Sequence, residues 1–149
     1  MRLFIAGLML VAAGAMAHSH AKDDIEVRHP WSRATPPGAR VAVGYMEIRN
    51  SGSQPDRLLS ASTPAAQRVE MHITQREGEV MKMRPVKAFE IPARERITLR
   101  PGGSHLMLVD LARPLKKGER FPMTLRFERA GELEIELEVQ EIGSRHPRH

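Results

Sequence analysis

Cysteine is absent from this 149-residue chain, and its absence excludes several kinds of chemistry. Without a thiolate, the protein has no cysteine nucleophile and no dithiol redox couple, and it cannot form a blue-copper centre, which requires a cysteine sulfur. It also lacks the disulfides that often stabilise small exported domains. Its stability must therefore come from packing. Any metal that it binds must be held by histidine, methionine or carboxylate side chains.

Aromatic residues are scarce, at 4% of the chain, and acidic residues are outnumbered by basic ones, which leaves a net charge of +5. Proteins that bind single-stranded nucleic acids stack bases on aromatic side chains, and no stripe of aromatic and basic residues is present here. The composition therefore argues against nucleic-acid binding. The positive charge can steer the protein toward an acidic partner or toward anionic lipid headgroups, although scattered solvated Lys and Arg side chains produce the same composition.

The longest apolar run lies at the start of the chain and is typical of a signal peptide. Arg2 is followed by an apolar stretch from Leu3 and by the A-x-A sequence of residues 15–17. This stretch is shorter than the roughly 20 residues that span a bilayer. We therefore predict export to the periplasm with cleavage after Ala17. The predicted divisions are a signal peptide (1–17), a polar leader (18–23), one domain (24–141) and a polar tail (142–149).

Alternating hydrophobicity and frequent turns favour an all-β domain. Between residues 24 and 141 the alternation is interrupted by Pro and Gly turn signals, which is typical of an antiparallel β-sandwich. In the last segment, LEIELEV, the apolar residues from Leu133 to Val139 form a buried face and the glutamates a solvated one. The predicted strands are Ile25–His29, Val41–Arg49, Arg57–Ser62, Arg68–Thr74, Val80–Arg84, Ile97–Leu99, His105–Val109, Phe121–Phe127 and Leu133–Val139.

Histidine and methionine occur together on these predicted strands. Successive side chains of a strand point to opposite faces, so His105 and Met107 share one face. In the preceding hairpin, a turn centred between residues 77 and 78 would place His72 directly opposite Met83, with Met81 on the same face. The strands therefore offer two His and Met pairs.

Met71 is next to His72 and therefore belongs to the opposite, apolar face of its strand. Methionine commonly fills irregular gaps in a core. We expect Met71, Met46 and Met123 to be core residues, and whether Met71 or Met81 joins a metal site stays open at this point.

Imidazole and thioether groups select a particular metal. Thioether sulfur is a soft, neutral donor that suits Cu(I) and not Zn²⁺, Mg²⁺ or Ca²⁺. A site of this kind contains no thiolate, so it can release its ion to another protein. No negatively charged ligand is included in the set, so the charge of a bound ion would be poorly balanced.

The spacing of His72, Met83, His105 and Met107 resembles the H-x10-M-x21-H-x-M motif of the periplasmic copper chaperones associated with the Cu-A centre of cytochrome oxidase. The resemblance extends to WSRATPPG, to the strand over residues 45–50 and to PGGSHLML. It implies a cupredoxin-like Greek-key β-sandwich with these four side chains as Cu(I) ligands. It further implies a monomeric carrier, not an enzyme, whose partner is an oxidase subunit or another assembly factor.

Other histidines are candidates for Cu(II). If cleavage follows Ala17, the mature chain begins with His18-Ser19-His20, whose amine, backbone amides and third-position imidazole suit a square-planar ion. A disordered leader is the alternative. His29 is expected in a turn, and Trp31 in the core or at the rim of the site. The tail histidines that could also bind Cu(II) are His146 and His149.

Two other functions remain open from the sequence. The same site would suit a periplasmic copper buffer that provides copper tolerance. Alternatively, the methionines are core residues of a β-sandwich adhesion or assembly module. An enzyme is disfavoured, because Ser104 has no G-x-S-x-G turn and the glutamates of the last strand alternate on its solvated face.

Overall fold

The computed structural model describes residues 19–148, which are built of strands joined by turns. Among these residues no helix is long and apolar enough to cross a membrane. The strands are β1 (Ser19–Lys22), β2 (Ile25–Arg33), β3 (Val41–Asn50), β4 (Asp56–Ser62), β5 (Ala66–Glu77), β6 (Val80–Val86), β7 (Phe89–Ile91), β8 (Arg96–Leu99), β9 (His105–Leu111), β10 (Arg120–Phe127) and β11 (Gly131–Gln140).

All nine predicted strands are confirmed, and the structure adds β1 and β7. β1 lies in the segment predicted to be a polar leader, and it pairs antiparallel with β2, for example Lys22 with Ile25. Its side chains are mostly exposed, so its formation depends on backbone hydrogen bonds and its hydrophobic pattern gives no signal. β7 has only three residues, which is too short for alternation to be recognised.

The strands form one hydrogen-bonded path that folds over on itself. Its order is β6-β5-β9-β3-β2-β11-β10-β4-β7, with β1 added to β2 and β8 added to β3. β4 contacts β5 although five strands separate them along this path. The path therefore curves back until its two ends meet, and its inner faces enclose one hydrophobic core, as in a β-sandwich. The all-β prediction is therefore confirmed.

One hydrophobic core fills the space between the layers. The predicted buried face of β11 is confirmed, since Ile135 and Leu137 are almost completely buried. Met46, Met71 and Met123 are core residues, as predicted, with 2%, 8% and 1% of their surface exposed. Met71, whose role was still open, is therefore part of the core.

The prediction that His29 lies in a turn at the end of a strand is wrong. β2 continues to Arg33, and His29 lies inside it with a φ of 50°. The pairing of β2 with β3 shifts register between Arg28 and Trp31, which indicates a β-bulge. The bulge accommodates the left-handed residue without ending the strand. Beyond it, Trp31 is buried with its ring centroid 4.7 Å from that of Tyr45, which confirms the first of its two predicted positions, in the core.

Candidate metal centre

The register of the β5–β6 hairpin differs from the predicted one. Met83 lies opposite Thr74, and His72 lies opposite Pro85. The reason is the turn, because its two central residues are Gly78 and Glu79, and Gly78 has a φ of 64°. A glycine at the first central position is characteristic of the type II′ turn that suits hairpins. The partner of each residue is therefore displaced by two positions, and this even displacement keeps Met83 on the same face as His72.

The direct partner of His72 is His105, on the neighbouring strand β9. The two ring centroids are 5.5 Å apart and the ring planes are inclined by 31°. Met107 follows two residues later on β9 and therefore points to the same face. Met83 is diagonal to His72 through Thr74, a relation that places Cα atoms about 7–8 Å apart. The predicted ligands thus occupy one face of three adjacent strands.

The other face of the same strands belongs to the core. Met71, Leu106 and Leu108 are buried, with 8%, 0% and 0% of their surface exposed. Strand alternation therefore separates packing residues from the histidines and methionines of the opposite face. We call the face that carries His72, Met83, His105 and Met107 the metal-binding face, after the ligand set predicted for it.

The exposure of the four side chains changes across the metal-binding face. His105 is 6% exposed, and the side chain of His72 is 12% exposed. Met107 is partly buried, whereas Met83 on the edge strand β6 is 56% exposed. The imidazoles therefore form a buried base, and the thioether of Met83 lies at a rim that solvent or another protein can reach.

A tight turn determines the orientation of His105. The Gly103 amide donates to the Arg100 carbonyl over 2.9 Å, and Gly102 has a φ of 80°, as a type II turn with Pro101 at its first corner requires. The Gly103 carbonyl then lies 3.1 Å from His105 Nδ1. A carbonyl can only accept, so Nδ1 carries the proton and Nε2 keeps its lone pair.

The same carbonyl also accepts a hydrogen bond of 3.1 Å from Thr74 Oγ1. Since Thr74 belongs to β5, this bond joins the turn to the strand that carries His72. The Pro-Gly-Gly turn is therefore part of the site as well as a connection between β8 and β9.

Glu70 orients His72 and supplies a negative charge that was not predicted from the sequence. Its Oε2 lies 3.4 Å from His72 Nε2, and its Oε1 lies 3.6 Å from Arg68 Nε. His72 Nδ1 is buried and has no hydrogen-bond partner among residues 19–148. A proton on Nε2 directed at the carboxylate leaves a buried lone pair on Nδ1, which suits a metal ion.

The expectation that a bound ion would lack nearby negative charge therefore has to be corrected. Glu70 lies directly opposite Met107 in the ladder between β5 and β9. Its position two residues before His72 on the same strand face was a signal already present in the sequence.

The donor atoms of this face suit a soft ion. In the described part of the chain, no group of three or more His, Asp or Glu side chains is placed to hold a metal. Hard cations such as Mg²⁺ and Ca²⁺ require oxygen ligands in larger numbers. Two imidazoles and two thioethers instead match the preference of Cu(I).

The remaining histidines have other surroundings. His20 lies in β1, and its Nε2 accepts a hydrogen bond of 3.2 Å from the Glu136 amide, so Cu(II) binding there would have to replace this bond. Burial lowers the pKa of His20, while nearby Glu136 raises it to a smaller extent. His146 is exposed in the tail, where its carbonyl accepts from Ser144 Oγ. His18 and His149, like the predicted signal peptide, lie outside the described residues.

Comparisons with known proteins agree with this fold. A model of the LpqE-like family matches residues 25–139. The protein named "Putative lipoprotein Lxx21020" of Leifsonia xyli subsp. xyli is 29% identical over 148 residues, which cover 93% of this chain and 88% of that protein.

Solved structures extend the comparison. A copper-bound PCuAC domain from PmoF2 is 35% identical, with a TM-score of 0.74 over 84% of this chain and 99% of that domain. Cu(I)-DR1885 from Deinococcus radiodurans, solved in solution, is 32% identical, with a TM-score of 0.65 over 87% of this chain and 85% of that protein. The predicted cupredoxin-like fold and non-enzymatic class are confirmed. The chain therefore belongs to the LpqE-like family of PCuAC-type copper-chaperone domains.

Proposed function

We propose that this protein is an exported Cu(I) carrier that holds one ion through His72, Met83, His105 and Met107. The observation that supports this assignment best is the pairing of His72 with His105 at the buried base of a face that also carries both methionines. Two similar structures contain copper. The PCuAC domain from PmoF2, which is 35% identical to this chain, is copper-bound, and DR1885, which is 32% identical, binds Cu(I). The acceptor is a Cu-A subunit of cytochrome oxidase or another copper-assembly factor.

Release of the ion follows from the gradient of exposure. His105 is buried and the His72 side chain is only 12% exposed, so these two are the ligands that hold the ion until the end of a transfer. The thioether of Met83 is exposed and neutral, so an incoming ligand can displace it without breaking an ion pair. Met107 would be displaced next. An acceptor would therefore approach from the β6 edge and replace the two thioethers in succession.

Transfer requires an acceptor that is already reduced. The chain has no cysteine, and so it cannot reduce a disulfide in the acceptor. A separate thiol protein would have to prepare the Cu-A cysteines. We expect the copper-loaded protein to metallate a reduced Cu-A domain and not an oxidised one. Metallation of the oxidised domain by this protein alone would contradict the need for a separate thiol protein.

Copper coordination is tested directly by titration and X-ray absorption. One equivalent of Cu(I) should bind with two nitrogen and two sulfur neighbours, and the paired variant His72→Ala/His105→Ala should not bind it. A copper ion with no sulfur among its nearest neighbours would contradict the assignment of the methionines as ligands, since they are the only sulfur donors in the chain.

The role in oxidase assembly needs a test in cells. Deletion of the gene should lower cytochrome oxidase activity at ordinary copper concentrations, and the Met83→Leu/Met107→Leu variant should not restore it. Growth defects confined to high copper, with normal oxidase activity, would instead indicate a copper buffer.

Export with cleavage after Ala17 remains part of the proposal. The relative in Leifsonia xyli is named as a lipoprotein, which supports an exported family. This chain has no cysteine to carry a thioether or thioester lipid, so we propose a soluble periplasmic form. Sequencing the amino terminus of the protein from a periplasmic fraction should find His18 first. A chain that retains residues 1–17 would contradict the proposed cleavage.

A further inference from the structure

A groove of about 840 Å³ lies beside the metal-binding face. β2, β3, β8, the Pro-Gly-Gly turn and the carboxy-terminal tail line it. Four arginines project from different parts of its wall. We call it the basic groove and define it by Arg28, Arg33, Arg100, Arg145, Trp31 and Pro101.

The charges of the basic groove are unbalanced. Its lining contains one carboxylate, that of Glu47, which lies 3.7 Å from Arg96 Nη1 outside the groove. Arg28 is paired with Glu26 over 2.6 Å. Within residues 19–148 no carboxylate pairs with the remaining three arginines of the wall, which are Arg33, Arg100 and Arg145.

The three unpaired arginines are held in different ways. Arg33 is fixed, because its Nε donates to the Ser144 carbonyl over 2.8 Å and its guanidinium lies 5.5 Å from the centre of the Tyr45 ring. Arg100 and Arg145 are exposed. One anchored and two exposed cations around a concave surface suit a ligand that carries several negative charges.

The groove shares a turn with the metal-binding face. Arg100 and Gly103 close that turn through their backbones. The aliphatic part of the Arg100 side chain lies over Gly103, since a Cβ at position 103 would be 3.3 Å from Arg100 Cγ. The Gly103 carbonyl in turn contacts His105 and Thr74. A ligand in the groove would therefore lie one turn away from the metal ligands.

We propose that the basic groove docks an acidic, extended segment of a partner protein. A groove of this volume is much larger than a phosphate ion, and the partly exposed Pro101 adds apolar surface beside the arginines that a peptide can contact. A membrane surface contacts protruding basic patches better than concave ones, because the headgroups must reach the cations. This proposal rests on the proposed function, because the acidic segment would belong to the copper acceptor. It can be tested on metal-free protein, so it succeeds or fails independently of copper binding.

The test uses a fluorescein-labelled hexaglutamate peptide and fluorescence anisotropy across a range of salt concentrations. The protein should bind the peptide, and added salt should weaken binding because exposed charges are screened. Arg100→Glu/Arg145→Glu should weaken binding roughly tenfold, since two attractions become repulsions. Arg145→Glu alone should give a smaller loss, which covers the case that the double variant folds poorly. No binding by the unaltered protein would overturn the proposal.

The matched control is Arg113→Glu/Arg126→Glu, which makes the same change in net charge at exposed positions outside the groove. Its affinity for the peptide should stay within about twofold of the unaltered protein. An equal loss in both double variants would assign binding to overall charge and overturn the proposal.

Two further ligands identify the source of the negative charge. Inorganic phosphate and vesicles containing phosphatidylglycerol should bind far more weakly than the peptide at equal ionic strength. Vesicle binding that Arg100→Glu/Arg145→Glu abolishes, together with no peptide binding, would assign the groove to the membrane surface instead. Backbone NMR should show peptide-induced shifts at Gly102 and Gly103, and their absence would place the peptide elsewhere.

Discussion

His72 and His105 lie directly opposite each other on β5 and β9, with ring centroids 5.5 Å apart. Each ring has a separate orienting partner, the Glu70 carboxylate for His72 and the Gly103 carbonyl for His105. A pair of imidazoles that is held from behind in this way loses little conformational freedom when it binds a metal. The exposed Met83 is the ligand in the proposed set with the greatest freedom to move.

Met83→Leu should weaken Cu(I) binding roughly tenfold or more, equivalent to about 1.4 kcal/mol or more, while stability changes little. The reason is that Met83 is 56% exposed and contributes little to the core. Competition with a chromophoric Cu(I) chelator measures the affinity. Met81→Leu is a close control, because Met81 lies on the same face of β6 and is also 56% exposed. Equal affinities for the two variants would remove Met83 from the ligand set.

Glu70→Gln should reduce Cu(I) affinity about 10–100-fold, as the loss of a partner behind a metal-binding histidine commonly does. The amide cannot supply the negative charge, and it no longer specifies a proton on His72 Nε2. Nitrogen-15 NMR of the His72 ring should show a change of tautomer, which a simple loss of packing would not cause. Glu79→Gln in the exposed hairpin turn is the control. An unchanged tautomer would contradict the orienting role.

Gly102→Ala should cost about 1–2 kcal/mol of stability, because a residue with a Cβ is strained at a φ of 80°. It should also weaken Cu(I) binding, since the distorted turn carries the Gly103 carbonyl that orients His105. Gly118→Ala is matched to it, with a φ of 89° and no atom near the added Cβ. The control should lose similar stability, measured by urea unfolding, and keep its affinity. A loss of affinity in both variants would show that the effect is global.

Acidification should detach β1. Burial lowers the pKa of His20 in the folded protein below its ordinary value of 6.5, which applies to the unfolded chain. At a pH between the folded and the unfolded pKa, the unfolded chain therefore binds more protons than the folded one. Stability then falls as the pH drops below 6.5, and it is fully present above that value. The protection of the Glu136 amide against hydrogen exchange should decrease in this window, because this amide donates to His20. His20→Gln should remove that pH dependence, and an unchanged dependence would assign it to another group.

Short-range patterns account for what was predictable in the fold. Alternation on β11 places Leu133 and Ile135 in the core, and alternation on β9 separates His105 and Met107 from Leu106. These inferences need only the two-residue period of a strand, which no distant contact alters. β1 escaped prediction because its polar side chains remain exposed while its backbone pairs with β2.

The hairpin register was predicted incorrectly for a local reason. The choice between a turn centred on Glu77-Gly78 and one on Gly78-Glu79 depends on the turn type, and the type II′ turn formed here places its glycine, with a positive φ, first. The resulting displacement by two residues moved Met83 from His72 to Thr74 without changing its face. The face was therefore predictable and the exact neighbour was not.

The sequence by itself determined the all-β class, the separation of core methionines from the metal-binding face and the soft character of the donor atoms, because each depends on residue type and strand alternation. Only the tertiary structure decided that His72 meets His105, that Glu70 and Gly103 orient them, and that a basic groove lies one turn away. The physical reason is that pairing between β5 and β9 joins strands far apart in the chain. Hydrogen bonds and burial over the whole core select that pairing, and no local pattern encodes it.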